Sequence, residues 1–242
     1  MKASSTPKLD RSIRLADGRA LAYSEWGDLE GRPVVFLHGT PSSRLMCWDV
    51  EATEALGVRL ITLDRSGYGR SDPRPDLTLL AWVDDYVELV DHLGLPPCPV
   101  VGHSGGGRFA LACAYRLPER VSSLGLAAAP GLIDESPGAL EGFSPEERAA
   151  FDLFLRDKAA GTEAIRRQSQ WYDGDGWQAL FTESWGNADD RVLARGDVLE
   201  ANMVNMREGR ARAQWVSRGT ASSRPNPTAS RWPTSGRRST CG

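Results

Sequence analysis

Nowhere in this chain do about 18 apolar residues run together, so no segment is suited to crossing a membrane as a helix. The N-terminal stretch Met1-Lys2-Ala3-Ser4-Ser5-Thr6-Pro7 lacks the apolar core of a secretory signal, and the expected location is the cytoplasm. Cysteine is sparse. Cys47, Cys98, Cys113 and Cys241 match neither a metal-ligand spacing nor a redox motif and read as reduced thiols. Histidine is sparser still: His38, His92 and His103 are the only three, and none follows residue 103. What remains is an ordinary composition, 40% hydrophobic and 25% charged with a formal net charge of −3. A chain of 242 residues can build one α/β domain, with or without a small insertion.

Acidic residues and lysine are missing from residues 217–242, which hold five Arg, six Ser, four Thr and three Pro and no Val, Ile, Leu, Met or Phe. Such a segment cannot bury enough apolar surface to offset its ordering entropy, so a disordered tail is expected over 216–242. Its arginines are scattered rather than clustered, which argues against a nucleic-acid-binding arm.

The rest of the chain alternates between strand and helix patterns. Ser12–Ala16 and Ala20–Trp26 flank the turn signal Asp17-Gly18 and predict a hairpin. Val34–Leu37, Arg59–Leu63, Pro97–Val101 and Val121–Ala129 read as buried parallel strands. Between them, helical segments are predicted up to about Leu56, after the cap Thr78, and from Arg108. The second uses Leu80, Val83, Val87, Val90 and Leu93 as its apolar positions and stops at Gly94. The pattern predicts a doubly wound, mostly parallel sheet over residues 10–130. Beyond Pro130 strand runs cease. Ser144-Pro145-Glu146-Glu147 is a capping box for a helix carrying Phe151, Phe154, Leu155 and Ala159, with Gly161 as its stop. Residues 131–215 thus read as a helical cap, with Trp171, Tyr172, Trp177, Phe181 and Trp185 available to pack it or line a pocket.

Gly102-His103-Ser104-Gly105-Gly106 joins the strand at Pro97–Val101 to the helix at Arg108. In that setting G-x-S-x-G reads as a nucleophile elbow, a turn so tight that glycine is required at its flanks and the serine hydroxyl is pushed into the open. The helix N-terminus aims amides and positive dipole at the same place. Asp173-Gly174-Asp175-Gly176 has the start of a calcium loop but lacks the remaining ligands and the closing glutamate, so it reads as a solvated turn. No metal and no organic cofactor is expected.

Three motifs, each at a predicted strand end and in this order, carry a resemblance: His38-Gly39-Thr40-Pro41, Asp64-Arg65-Ser66-Gly67-Tyr68-Gly69-Arg70-Ser71, and Gly102-His103-Ser104-Gly105-Gly106. Over roughly residues 10–215 the chain resembles the α/β-hydrolase superfamily, in its cap-bearing branch of small esterases, peptidases and lyase-like enzymes. The resemblance implies Ser104 as nucleophile and the backbone N–H groups of Gly105 and Thr40 as oxyanion donors. It implies structural roles beside the site for His38, Gly39, Gly102 and His103, with Asp64 and Arg65 holding their loop together. A serine at this position argues against relatives that attack epoxides or haloalkanes through a carboxylate. The implied substrate is a small ester or amide, with no nucleic-acid or membrane partner.

The same resemblance calls for an acid and then a histidine after the nucleophile. No histidine follows Ser104, and the usual strand for the acid is absent, which leaves Asp134, beside Glu135, as an alternative acid. The last strands of the sheet are expected to be missing, through a frameshift or truncation around Arg207–Gln214. In that case Val121–Ala129 becomes an open sheet edge, and self-association is expected.

Overall fold

A computed structural model of the chain describes residues 7–131, Gly138, Glu141, 143–169 and 195–210. The chain divides into two compact units, Met1–Pro130 with Glu200–Gly242, and Gly131–Leu199.

The first unit is built on one six-stranded sheet: β1 (Lys8–Arg14), β2 (Ala20–Gly27), β3 (Arg32–Leu37), β4 (Val58–Leu63), β5 (Cys98–His103) and β6 (Val121–Ala127), in spatial order β1-β2-β4-β3-β5-β6. β1 and β2 form an antiparallel hairpin, β2 pairs antiparallel with β4, and β4, β3, β5 and β6 run parallel. Both hairpin strands start or stop away from their expected ends. β1 begins at Lys8 and closes at Arg14, because the amide of Leu15 already donates to the Arg19 carbonyl across the turn at 2.8 Å. β6 stops at Ala127 instead of Ala129, since Ala128 takes a left-handed φ of 49° that no strand can continue through.

The first connection is less helical than its sequence suggests. Helix α1 is only Val50–Ala55, capped by the Asp49 carboxylate, and residues 38–49 are turns and loop. The amides of Ser43 and Arg44 bond side chains, Oδ1 of Asn205 and Oδ1 of Asp64, in place of carbonyls four residues back. Helix α2 (Leu79–His92) starts at the Thr78 cap as expected, and Gly94 follows its end at a φ of 60°. Its buried face is Trp82, Val83, Tyr86, Leu89 and Val90, while Leu80 is 49% exposed, so the stripe lies rotated from the expected one. The rotation buries Asp85, held by the Arg19 guanidinium at 2.6 and 2.8 Å and by Arg74 at 3.0 Å. This buried carboxylate ties α2 to the β1–β2 hairpin.

Helices cover both faces of the sheet. Together with α3 (Gly106–Arg116), α2 packs Trp82, Tyr86, Leu89, Phe109 and Cys113 against Leu21, Val35, Leu37, Ile61, Leu63 and Val100. The opposite face gathers Trp26, Leu45, Cys47, Val50, Leu60 and Val204. Strand order reverses between β3 and β5: the chain leaves β3 toward α1 on one face and leaves β5 toward α3 on the other. In open parallel sheets this reversal opens a crevice at the carboxyl ends of the two strands.

The second unit contains α4 (Pro145–Arg156) and α5 (Lys158–Ser169). The Ser144–Glu147 capping box forms at 2.8 and 3.2 Å. Gly161 does not stop this helix. α4 ends at Asp157, whose carboxylate accepts the amides of Ala159 and Ala160 to start α5, and Gly161 lies inside α5, where a Cβ would run into the Phe154 backbone. Leu155 is 63% exposed rather than part of a buried stripe with Phe154. Helix α6 (Gly196–Arg210) follows, its residues from Glu200 onward belonging to the first unit. Trp171, Tyr172, Trp177, Phe181, Trp185, the Asp173–Gly176 turn and the tail over 216–242 lie outside the described residues.

Candidate active site

The loops that leave β3 and β5 meet at the reversal of strand order. Leu37 and Gly102 are register partners, so His38-Gly39-Thr40 and His103-Ser104-Gly105 emerge side by side. Ser104 adopts a φ of 48°, in the left-handed region that a non-glycine residue occupies only when its surroundings impose it. Those surroundings are visible: its amide donates to the Ala127 carbonyl at 2.9 Å, and its carbonyl accepts from the Gly107 amide at 2.9 Å to open α3. Crowding explains the glycine at 102, where a Cβ would come within 2.6 Å of Gly107 Cα and 2.8 Å of Ala110 Cβ. At Gly39 a Cβ would stand 3.1 Å from both Ser104 Cβ and His103 Nδ1, and at Gly105 one would stand 2.8 Å from Thr40 Oγ1. Thr40 thus faces the N-terminus of α3 across the crevice.

His38 is fully buried. Its Nε2 accepts the Arg65 amide at 3.1 Å, which leaves Nδ1 to donate to the Gly39 carbonyl at 2.7 Å. Burial, with Arg65 nearby, holds its pKa well below 6.5. With both nitrogens engaged, the ring cannot take a proton from Ser104. His103 stacks edge-on against the exposed Trp48 ring at 5.4 Å, its Nδ1 is buried without a hydrogen bond, and burial lowers its pKa. His92 ends α2 on the side where β5 begins, not where the crevice loops leave the sheet, and is exposed. Asp134 and Glu135 lie outside the described residues.

Two arginines frame the loop after β4. Arg44 is buried and bonded to Asp64 at 2.9 Å, Asp10 at 2.9 Å and Glu208 at 2.5 Å. Asp64 also accepts the Arg70 amide at 2.8 Å, so it closes the 64–70 loop; burial raises its pKa against the opposing pull of Arg44. Arg65 turns the other way and donates to the carbonyls of His38 at 3.2 Å and Gly39 at 2.8 Å and to Thr40 Oγ1 at 2.7 Å.

Residues from α6 complete this frame, and nothing in their sequence context singled them out. Buried Asn205 accepts the Ser43 amide at 2.9 Å and the Ser43 hydroxyl at 2.7 Å, and donates to Ser42 Oγ at 3.0 Å. It secures the segment that follows Thr40 from 162 residues away in sequence. Among the described residues no group of His, Cys, Asp and Glu could hold a metal ion, and no helix is long and apolar enough to cross a membrane.

Comparison with known proteins agrees with this architecture. The family model for the α/β hydrolase fold matches residues 32–232. The chain is 37% identical over 154 residues to a non-heme chloroperoxidase of Streptomyces lividans, covering 62% of this chain and 54% of the relative. It is 34% identical over 202 residues to a proline iminopeptidase of Xanthomonas citri (81% and 54%). Over 241 residues it is 30% identical to a 2-hydroxymuconate semialdehyde hydrolase of Pseudomonas putida (87% and 84%). It spans about half the length of the first two. An epoxide hydrolase structure from Vigna radiata aligns with 51% of this chain and 41% of its own at 26% identity and a TM-score of 0.45. With a family match over residues 32–232 and relatives that include hydrolases, the chain belongs to the α/β-hydrolase fold family.

Proposed function

We propose that this protein is a serine hydrolase acting on a small carboxylic ester or amide through an acyl group carried on Ser104. The observation that carries this reading is the left-handed Ser104 between β5 and α3, with Thr40 facing the same helix N-terminus. Ser104 Oγ would attack the acyl carbon and expel the alcohol or amine; water would then release the acid and restore the serine. The amides of Gly105 and Thr40 are the proposed donors to the oxygen that becomes negative, each worth about 2.7–4 kcal/mol in such a site. No acidic residue lies in the first turn of α3 to cancel its field. Residues 10–130 would supply this core, 131–215 the cap that selects the substrate, and 216–242 a tail, in the cytoplasm.

A second reading rests on a specific observation: no histidine follows Ser104, and His38 and His103 are committed or stacked where they stand. A serine hydroxyl is a weak nucleophile without a base. By the measure of serine proteases, losing it costs on the order of a million-fold, while donors and binding alone retain about 10³–10⁴ over water. On this reading the chain is an impaired hydrolase or a ligand-binding scaffold, with Asp134 the remaining candidate acid. Hydrolysis of p-nitrophenyl acetate by the full chain and by Ser104→Ala separates the two. Turnover that disappears with Ser104 supports the hydrolase; equal, near-background rates support the scaffold.

A further inference from the structure

Two guanidinium groups are buried near the crevice, and they are served very differently. Arg44, 1% exposed, meets three carboxylates. Arg65, 5% exposed, meets none among the described residues: its hydrogen bonds go to two carbonyls and a hydroxyl, and its plane lies over the rings of Tyr68 at 4.5 Å and Phe109 at 4.8 Å. Beyond burial, Tyr68 is its main favourable electrostatic partner, and a second cation, Arg108, adds to the field. A buried charge without a counter-charge is costly, and a negative group arriving from outside would offset that cost.

The hydroxyl of Thr40 shows where that group would sit. A threonine hydroxyl has two acceptor positions and one proton. Thr40 Oγ1 accepts from Arg65 Nη2 at 2.7 Å and from the Tyr68 hydroxyl at 3.2 Å, so both acceptor positions are filled. Its own proton meets no acceptor among the described residues. The side chain is exposed, and its oxygen stands 2.8 Å from where a Cβ on Gly105 would be.

We propose that the Thr40 hydroxyl is a third hydrogen-bond donor to the negative oxygen formed at Ser104, with Arg65 as the positioning residue that fixes and polarises it. This rests on the reading of Ser104 as nucleophile and adds to it a side-chain donor backed by an unpaired charge. Because both lone pairs of the hydroxyl are occupied, it can only donate toward the ligand, and the guanidinium behind it makes that proton more acidic. The arrangement favours charge that appears during reaction over a neutral ground-state carbonyl, so it acts on rate more than on binding.

The test is the kinetics of labelling by a fluorophosphonate on the full chain. Ser104 Oγ bonds to phosphorus, fluoride leaves, and the hydroxyl proton passes to solvent. Thr40→Val keeps the shape and the amide and removes the hydroxyl; Thr40→Ser keeps it. The expected result is a maximal labelling rate about a hundred-fold lower in Thr40→Val, with half-saturating probe concentration unchanged and Thr40→Ser within about three-fold of wild type. Arg65→Gln should lose rate as well, Arg65→Lys should recover most of it, and Arg65→Gln combined with Thr40→Val should be no slower than Thr40→Val alone. Equal rates for Thr40→Val and wild type, or equal losses in Thr40→Val and Thr40→Ser, overturn the proposal while leaving Ser104 as nucleophile. Wild-type labelling that is absent or falls elsewhere than on Ser104 overturns the functional reading and this proposal together. Circular dichroism confirms folding, and the Thr40 pair decides alone if Arg65→Gln does not fold.

Discussion

The amide of Arg65 donates to Nε2 of His38 at 3.1 Å, so one histidine locks the loop after β3 to the loop after β4 only while its ring is neutral. Burial holds the folded-state pKa well below the unfolded value of 6.5. Below pH 6.5 the unfolded chain therefore takes up a proton that the folded chain refuses, and stability falls as pH drops; above 6.5 this contribution is constant. The unfolding free energy from urea titrations between pH 7.5 and 5 should be flat at first and then decline by about 1.4 kcal/mol per pH unit for His38 alone. His103, lowered by burial in the same direction, adds to the slope. A stability constant down to pH 5 contradicts this account.

Asn205 should matter to stability out of proportion to its place near the end of the described chain. Asn205→Ala leaves the Ser43 amide buried without its acceptor, while the Ser43 hydroxyl keeps the carbonyl of residue 205, and the orphaned amide costs about 1–3 kcal/mol. Urea unfolding measures the loss directly. An unchanged midpoint would mean that the Ser42–Ser43 segment finds other partners.

β6 pairs with β5 alone among the described residues, and Leu126 is 48% exposed on it. Edges of this kind recruit other strands, and charges placed on them prevent it. Sedimentation of the full chain should show self-association that Leu126→Lys reduces. A clean monomer at every concentration would count against an open edge.

Cys47 and Cys113 should be inert in the folded protein. Burial pushes their thiols up to about 11 and about 12, so little thiolate exists at pH 8. Iodoacetamide should modify them only after unfolding; rapid labelling of the native protein would mean that this core opens.

The parallel strands, the hairpin and the crevice loops were legible because each leaves a local mark: Val34–Leu37 an apolar run, Asp17-Gly18 a turn, Gly102 and Gly105 glycines beside a serine. The short α1 was not, because what prevents helix from Ser42 to Asp49 is a set of side-chain acceptors, Asn205 and Asp64, far away in sequence. Gly161 was misread as a stop because a glycine that lets a helix approach its neighbour looks, in sequence, like one that ends it. The rotated face of α2 follows from Asp85, a charged residue that pattern reading assigns to solvent and that Arg19 and Arg74 draw inside. Within the candidate site, the motifs marked where the crevice loops leave the sheet. The unpaired charge of Arg65 and the filled acceptors of Thr40 exist only once the loops after β3 and β4 are brought together.

The central claim, that Ser104 is an activated nucleophile, is tested most directly by mass spectrometry of the full chain after brief exposure to a fluorophosphonate. A single adduct is expected on the peptide containing Ser104, absent from Ser104→Ala. A folded protein that carries no adduct, or carries it on another residue, contradicts it.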